Sequence, residues 1–114
     1  MGIATPAGRV TGDARFQLVA TGPGSLSAQG PLNFASARRA CELGIEALAQ
    51  ASGSKLEIDC GGVTVSDSAG LAVLLEWLSV AQRAGRSLRY TQLPEGLLAL
   101  ARISEADPLL ERGV

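Results

Sequence analysis

Histidine is absent from the sequence, and aromatic residues make up only 4% of it. Without histidine the chain lacks the commonest general base, the commonest metal ligand and the Ser-His and Cys-His pairs that activate nucleophiles. The scarcity of aromatic rings removes the stacking platforms that bind single-stranded nucleic acid. The net charge of −1 at pH 7 provides no basic surface for nucleic acid or anionic lipid. We therefore predict no metal site, no cofactor and no nucleic-acid partner.

Long apolar runs and a secretion signal are also lacking. The longest apolar stretch, 71–81, is interrupted by Glu76 and Ser79 and is too short to cross a bilayer. The first residues lack the charged and apolar regions of a signal peptide. Cys41 and Cys60 lie in apolar segments, and buried free thiols fit them better than a disulfide, although the count alone permits one. These features predict a cytoplasmic protein that does not insert directly into the membrane.

The rest of the chain has the pattern of one small α/β domain. Residues 1–12 are rich in glycine and lack periodicity, which predicts a disordered N-terminal tail before a domain at 13–114. Alternation and turn residues predict strands over 15–20, 25–30, 55–60 and 87–93. Helical periodicity predicts helices over 33–52, 66–84 and 95–104, and a last short turn or helix over 107–111. This order indicates a mixed sheet of four to five strands with helices packed mainly on one face.

The first predicted helix has an apolar face that we assign to the core. Asn33 is a candidate N-cap, and apolar residues recur after it at steps of three and four. The members of this face are Phe34, Ala37, Cys41, Ile45 and Leu48.

The segment 66–70, between the third strand and the second helix, is the clearest candidate site. Ser68 places a hydroxyl at a helix N-terminus, where free backbone N–H groups and the helix dipole favour negative charge. A phosphate on Ser68 or a carboxylate of a partner could be bound there, and Gly70 would let another surface approach closely. Asp67 or Ser66 could instead simply cap the helix. The residues Asp67, Ser68, Ala69 and Gly70 leave both interpretations open.

The second predicted helix is apolar on two sides. One stripe, which we assign to the core, comprises Leu71, Leu74, Leu75 and Leu78. The stripe on the opposite side comprises Val73, Trp77, Val80 and Ala84. Tryptophan is a frequent anchor of protein contacts. We therefore predict that Val73, Trp77 and Val80 form an exposed docking stripe, with cover by the third helix or the tail as the alternative.

The stretch from Leu56-Glu-Ile-Asp-Cys60 through Asp67-Ser-Ala-Gly-Leu-Ala72 to Leu93-Pro94 resembles the STAS domain family. Within that family the chain is most similar to the MlaB branch, the small STAS subunits of Mla phospholipid-transport ABC complexes. The more specific parts of this likeness are Leu-Glu-Trp on the second helix and Leu-Pro-x-x-Leu-x-Ala-Leu-Ala at the start of the third.

The resemblance implies a non-catalytic subunit that binds the ATPase of such a transporter and stabilises or activates it. The permease and the lipid-binding subunit would be contacted only indirectly, and the complex would maintain the lipid asymmetry of the outer membrane. The chain would be cytoplasmic and peripheral to the inner membrane through its partner. The family's hydroxyl maps to Ser68 and the preceding acid to Asp67, with Val73 and Trp77 near the contact.

The same family offers an alternative function, that of an anti-sigma-factor antagonist. Phosphorylation of Ser68 would then add charge and break the partner contact. Both functions share the Asp-Ser-x-Gly motif, so the motif does not discriminate between them.

A catalytic interpretation would combine Asp59, Asp67 and Ser68 as acid and nucleophile. No base or cation stands in the sequence at a spacing that would activate the serine. We therefore predict that the protein is not an enzyme.

Overall fold

The computed structural model describes residues 15–114, so the tail predicted at 1–12 lies outside the described residues. Strands and helices follow one another along this part of the chain in an α/β order. In sequence they are β1 (Gln17–Gly22), β2 (Ser25–Leu32), α1 (Ala37–Gln50), β3 (Lys55–Ser66), α2 (Ser68–Arg83), β4 (Ser87–Thr91), α3 (Glu95–Ile103) and α4 (Asp107–Arg112). Each overlaps a predicted element, although several ends differ.

The four strands form one mixed sheet in the order β1-β2-β3-β4. β1 and β2 are antiparallel, whereas β2, β3 and β4 run parallel. Gly24 closes the β1–β2 turn with φ of +73°, and a Cβ added there would lie 2.8 Å from the carbonyl oxygen of Lys55, so the turn requires glycine. Because β2 and β3 are parallel, α1 and α2 begin at the same end of the sheet.

The helices cover one face of this sheet. The inward residues of β3 and β4 are all buried, namely Leu56, Ile58, Cys60, Leu88 and Tyr90. Their neighbours on the opposite face, such as Glu57 and Arg89, are exposed. This alternation is what a sheet with one covered face requires. The predicted α/β class, with helices packed on one face, is confirmed.

α2 lies at the centre of the core. Leu71, Leu74 and Leu78 on its inner stripe are buried, as predicted. The hydroxyl of Tyr90 donates a hydrogen bond to the carbonyl oxygen of Leu74 at 2.6 Å, which ties α2 to β4. Burial raises the pKa of Tyr90 well above its ordinary value, so the phenol remains a donor.

The second stripe of α2 is covered by α1, so the predicted exposure of that stripe is wrong. Trp77 is 0% exposed and Val73 is 5% exposed, while Val80 is half-buried. α1 crosses Trp77 at Gly44, where an added Cβ would overlap the indole ring. The ring of Phe16 lies on Trp77 as well, with the ring centroids 6.1 Å apart. Because Gly44 has no side chain, the two helices approach closely and bury the tryptophan inside its own domain.

The buried face of α1 is consequently only partly the predicted one. It consists of Ala40, Gly44 and Leu48, of which only Leu48 was predicted, and the small residues Ala40 and Gly44 allow α1 to approach Trp77 closely. Phe34 is 84% exposed and Ile45 is 41% exposed, so their assignment to the core was wrong. The helix starts at Ala37, later than predicted.

Candidate partner-binding site

The candidate site lies where β2 and β3 end side by side. Leu32 of β2 pairs with Ser66 of β3, so the turn 33–36 and the start of α2 are neighbours in space. The turn is held by the side chain of Asn33, whose Oδ1 accepts the N–H of Ser36 at 3.2 Å. Ser36 in turn occupies the N-cap position of α1. The N-terminal ends of α1 and α2 therefore form one continuous surface.

Asp67 joins the two halves of this surface. Its Oδ1 accepts the N–H groups of Ala69 at 2.9 Å and Gly70 at 3.2 Å, which caps α2. Its Oδ2 accepts the N–H of Phe34 at 3.0 Å, on the turn before α1. The bond from Phe34 contributes most to holding the pKa of Asp67 below its ordinary value, so the carboxyl is ionised at neutral pH. The capping interpretation is thus confirmed for Asp67.

These bonds also change the interpretation of the other motif residues. The N–H groups of Ala69 and Gly70 are occupied by Asp67 and are not free to bind a phosphate or a carboxylate of a partner. Gly70 is buried, and a Cβ added to it would overlap the carbonyl oxygen of Leu32. The close approach that Gly70 permits is therefore to the chain's own β2. Ser68 is exposed at the first position of α2.

An open apolar groove of about 590 Å³ lies beside Ser68, between the first turns of α1 and α2. Its lining comprises Phe34, Ala37, Arg38, Cys41, Ala69, Ala72, Val73 and Glu76. Phe34 projects into solvent at one side with 84% exposure, and Val73 is a buried part of the lining. Arg38 and Glu76 bring one charge of each sign. An apolar groove with polar residues among its lining is the usual form of a protein-binding surface.

The structure therefore brings together only part of the predicted site. Ala69 and Val73 line the groove, Asp67 bonds to the main chain of Phe34 in its lining, and Ser68 precedes Ala69 in sequence. Trp77 is entirely buried, and Val80 lines a different cleft, with Ile45 and Ala84, towards the far ends of α1 and α2. Sequence reasoning missed Phe34, Cys41 and Ala72 as surface residues of the groove. The sequence feature that could have indicated the packing of α1 on α2 is Gly44, because a glycine inside an amphipathic helix indicates close contact with a bulky neighbour.

The carboxylates of the catalytic interpretation are not assembled. The Asp59 carboxylate accepts the N–H of Gly61 at 2.7 Å, in the middle of β3. Asp67 and Ser68 follow the end of that strand, which places them roughly 25 Å further along it at about 3.3 Å per residue.

Solved structures that share this fold include two of SpoIIAA. One is the anti-sigma factor antagonist SpoIIAA in its unphosphorylated form, which is 12% identical, with a TM-score of 0.59 over 77% of this chain and 82% of that chain. The other is the Bacillus cell fate determinant SpoIIAA in the phosphorylated form, which is 13% identical, with a TM-score of 0.62 over 87% of this chain and 91% of that one. At such identities the likeness concerns the fold alone. The sequence matches none of the curated proteins with which it was compared.

The sheet order, the single helical layer and the helix opening at Asp67 together define a STAS-type α/β domain. A protein-family model described as "Mlab, STAS domain" matches residues 18–111. The chain belongs to this MlaB-type STAS family, as its resemblance in sequence predicted.

Three further findings concern the described residues. No helix within 15–114 is long and apolar enough to span a membrane. The same residues contain no group of three cysteine, aspartate or glutamate side chains placed to hold a metal ion. Cys41 and Cys60 are both free thiols.

Proposed function

We propose that the chain is a non-catalytic subunit that binds the ATPase of a phospholipid-transport, Mla-type ABC transporter and stabilises or activates it. The proposal rests on the MlaB-type family match together with the apolar groove at the N-terminal ends of α1 and α2. In this role the chain is cytoplasmic, lies against the inner membrane through its partner, and reaches the permease and lipid-binding subunits only through the ATPase. The transporter would maintain the lipid asymmetry of the outer membrane.

The exposed ring of Phe34 is the observation that carries the binding role. Burying a phenylalanine side chain contributes about 1.5–3 kcal/mol, and the domain leaves this one in water. Phe34 is also not needed for the core, since α1 is packed through Ala40, Gly44 and Leu48. The groove beside it supplies further apolar surface from Ala69 and Ala72. A partner that inserts an apolar side chain between Phe34 and Ala72 would recover this burial.

The test is a binding measurement with the ATPase subunit of the Mla-type transporter encoded in the same genome, purified with an affinity tag. Phe34→Ser should weaken binding about tenfold or more, since each tenfold corresponds to about 1.4 kcal/mol. Ile103→Ser is the matched control, because Ile103 on α3 is 81% exposed and lies outside the groove. Ala72→Arg against Ala99→Arg gives a second matched pair, one position in the groove and one exposed on α3.

Two outcomes count against different parts of the proposal. If the wild-type chain does not bind the ATPase, the transporter role is wrong. If it binds but Phe34→Ser and Ile103→Ser behave alike, the groove is not the contact surface.

The second candidate function is that of an anti-sigma-factor antagonist regulated by phosphorylation of Ser68. The observation that favours it is the exposure of Ser68 at the first position of α2, beside the groove. A phosphate there would stand next to the ionised Asp67 and would place charge on an apolar contact, which would release the partner. Incubation with the serine kinases of the host, followed by mass spectrometry, tests this function. Stoichiometric phosphate on Ser68 would favour the antagonist over the transporter subunit.

A further inference from the structure

β3 is much longer than its neighbour β4. It runs from Lys55 to Ser66, but β4 pairs with it only from Lys55 to Asp59. The second half of β3, residues 61–66, is paired with β2 on one side only. This half-strand is about 20 Å long at 3.3 Å per residue. We call its unpaired side the 61–66 edge.

The chain turns away from this edge where β4 ends. Gln92 has φ of +56°, and a Cβ added to Gly61 would lie 3.3 Å from the Cβ of Gln92. The N–H of Gly61 is satisfied by the carboxylate of Asp59. Apart from that bond and the ladder with β2, residues 61–66 make no backbone hydrogen bond within 15–114. Gly61, Gly62, Thr64 and Val65 are exposed, the last at 56%.

The outer edge of β4, in contrast, is covered by the last residue of the chain. The C-terminal Val114 donates its N–H to the carbonyl oxygen of Leu88 at 3.0 Å, and Ser87 bonds to the carbonyl of Val114 at 2.7 Å. The 61–66 edge has no such cover among the described residues. It also lacks the residues that usually blunt an open edge, because Gly-Gly-Val-Thr-Val-Ser contains no lysine, no other charge and no proline.

We infer that the 61–66 edge binds an extended segment of a partner protein, which pairs with β3 as an additional strand. β3 pairs with β2 through a register shift between Val63 and Ser66, and its other side has unpaired main-chain donors and acceptors. These are complementary to the backbone of an extended peptide. Val65 favours an apolar or β-branched residue at the centre of that segment. The exposed carboxylate of Asp59 stands at the start of the edge, so a basic residue at that end of the segment complements it. This inference does not depend on which partner occupies the groove.

The probe is a phage library that displays overlapping 16-residue segments of the host proteome, selected on the immobilised chain. The best segment is synthesised and its Kd is measured by fluorescence polarisation. Amide hydrogen exchange of the wild-type chain, with and without the peptide, reports directly on residues 61–66. We expect these amides to exchange fast in the free chain and to be protected in the complex.

Thr64→Pro and Val65→Pro provide the mutational test. Proline removes a backbone donor, and the substitution disturbs the sheet only where that donor bonds to β2. The variant that keeps the wild-type Tm has lost a donor on the open side, and its affinity for the peptide should fall about tenfold or more. Ile103→Ser, outside β3, should bind the peptide like the wild type.

Three results would overturn the inference. The first is a selection that enriches no segment. The second is a bound peptide that leaves the amides of 61–66 unprotected. The third is a peptide that binds the folded proline variant as tightly as the wild type. Each differs from a failure of the proposed function, which concerns the ATPase and the Phe34 groove.

Discussion

The contact between Gly44 and Trp77 sets the spacing of α1 and α2, and Gly44→Ala tests it directly. A Cβ at this position would overlap the indole nitrogen and the ring carbons next to it. These atoms belong to a rigid, fully buried ring and not to the end of a flexible chain. The helices must therefore move apart, or the indole must leave its rotamer.

The expected loss of unfolding free energy in Gly44→Ala follows from two opposing effects. Overpacking a core by one methyl group costs about 1–3 kcal/mol, and the upper end applies because the ring cannot yield. Alanine is about 1 kcal/mol better than glycine in a helix interior, which offsets part of that cost. The net loss of unfolding free energy is then about 2 kcal/mol. For a domain of this size that corresponds to a fall in Tm of roughly 8–15 °C.

Urea denaturation followed by Trp77 fluorescence, together with a thermal melt, measures this loss. Gly96→Ala is the matched control, because Gly96 lies in α3 and a Cβ added there meets nothing within 4 Å. That variant should gain stability by up to about 1 kcal/mol from helix propensity alone. The two alanine substitutions are therefore expected to have opposite signs.

A double-mutant cycle tests whether Trp77 is the residue that the added methyl group meets. In a Trp77→Leu background the indole is gone, so the cost of Gly44→Ala, now measured by circular dichroism, should fall by about 1–2 kcal/mol. If Gly44→Ala costs the same in both backgrounds, or stabilises the wild type as Gly96→Ala does, the account of the α1–α2 contact is wrong.

Three further predictions concern the two motif residues and the two cysteines. Ser68→Asp should leave Tm unchanged or slightly raised, because a carboxylate at a helix N-terminus is favourable. It should weaken ATPase binding at least tenfold, because it adds a second negative charge beside the ionised Asp67. Ser52→Asp at an exposed loop position is the control, and unaltered binding by Ser68→Asp would remove Ser68 from the contact. Folding lowers the pKa of Asp67, so the carboxylate stabilises the fold above its unfolded pKa of about 4, and this effect is lost as the pH falls through the lower folded pKa. The Asp67→Asn variant should therefore lose less unfolding free energy than the wild type between neutral and acid pH. Identical pH profiles of the two proteins would contradict this. Burial and the neighbouring Asp59 raise the pKa of Cys60 to about 12, so Cys60 should resist thiol reagents. The half-buried Cys41 of the groove should react slowly and be protected by the bound ATPase. Mass spectrometry locates the label, and equal labelling of both thiols would refute this prediction.

The order of elements was predictable because its signals are local. Alternation of Leu56, Ile58 and Cys60 with charged residues predicted β3, and capping of α2 by Asp67 or Ser66 was one of the two interpretations of the segment before it. Both depend on neighbours within a few residues, and both are confirmed. The resemblance of the stretch around Asp67 to the STAS family was likewise sufficient to predict the fold and the family.

The site could be predicted only in part, because it depends on how two helices meet. The sequence shows that α2 is apolar on two sides but not which side another helix covers. Gly44 decides this because its lack of a side chain leaves room for Trp77 against α1, while Phe34, on the turn before α1, stays in solvent. The third strand was predicted to end at Cys60, before Gly61-Gly62, but the sheet register shifts there and the strand continues to Ser66. Glycine pairs fit a turn and a bulge equally well, so the local pattern could not distinguish them.

The double role of Asp67 has a consequence for the kinetics of association. Its carboxylate fixes the main chain at Phe34 as well as the first turn of α2, so the ring is presented on a backbone that is already ordered. A partner that docks at Phe34, as proposed, would need to restrict only side-chain rotation, which would keep the entropic cost of the encounter low. Recognition there would need no prior folding of a loop.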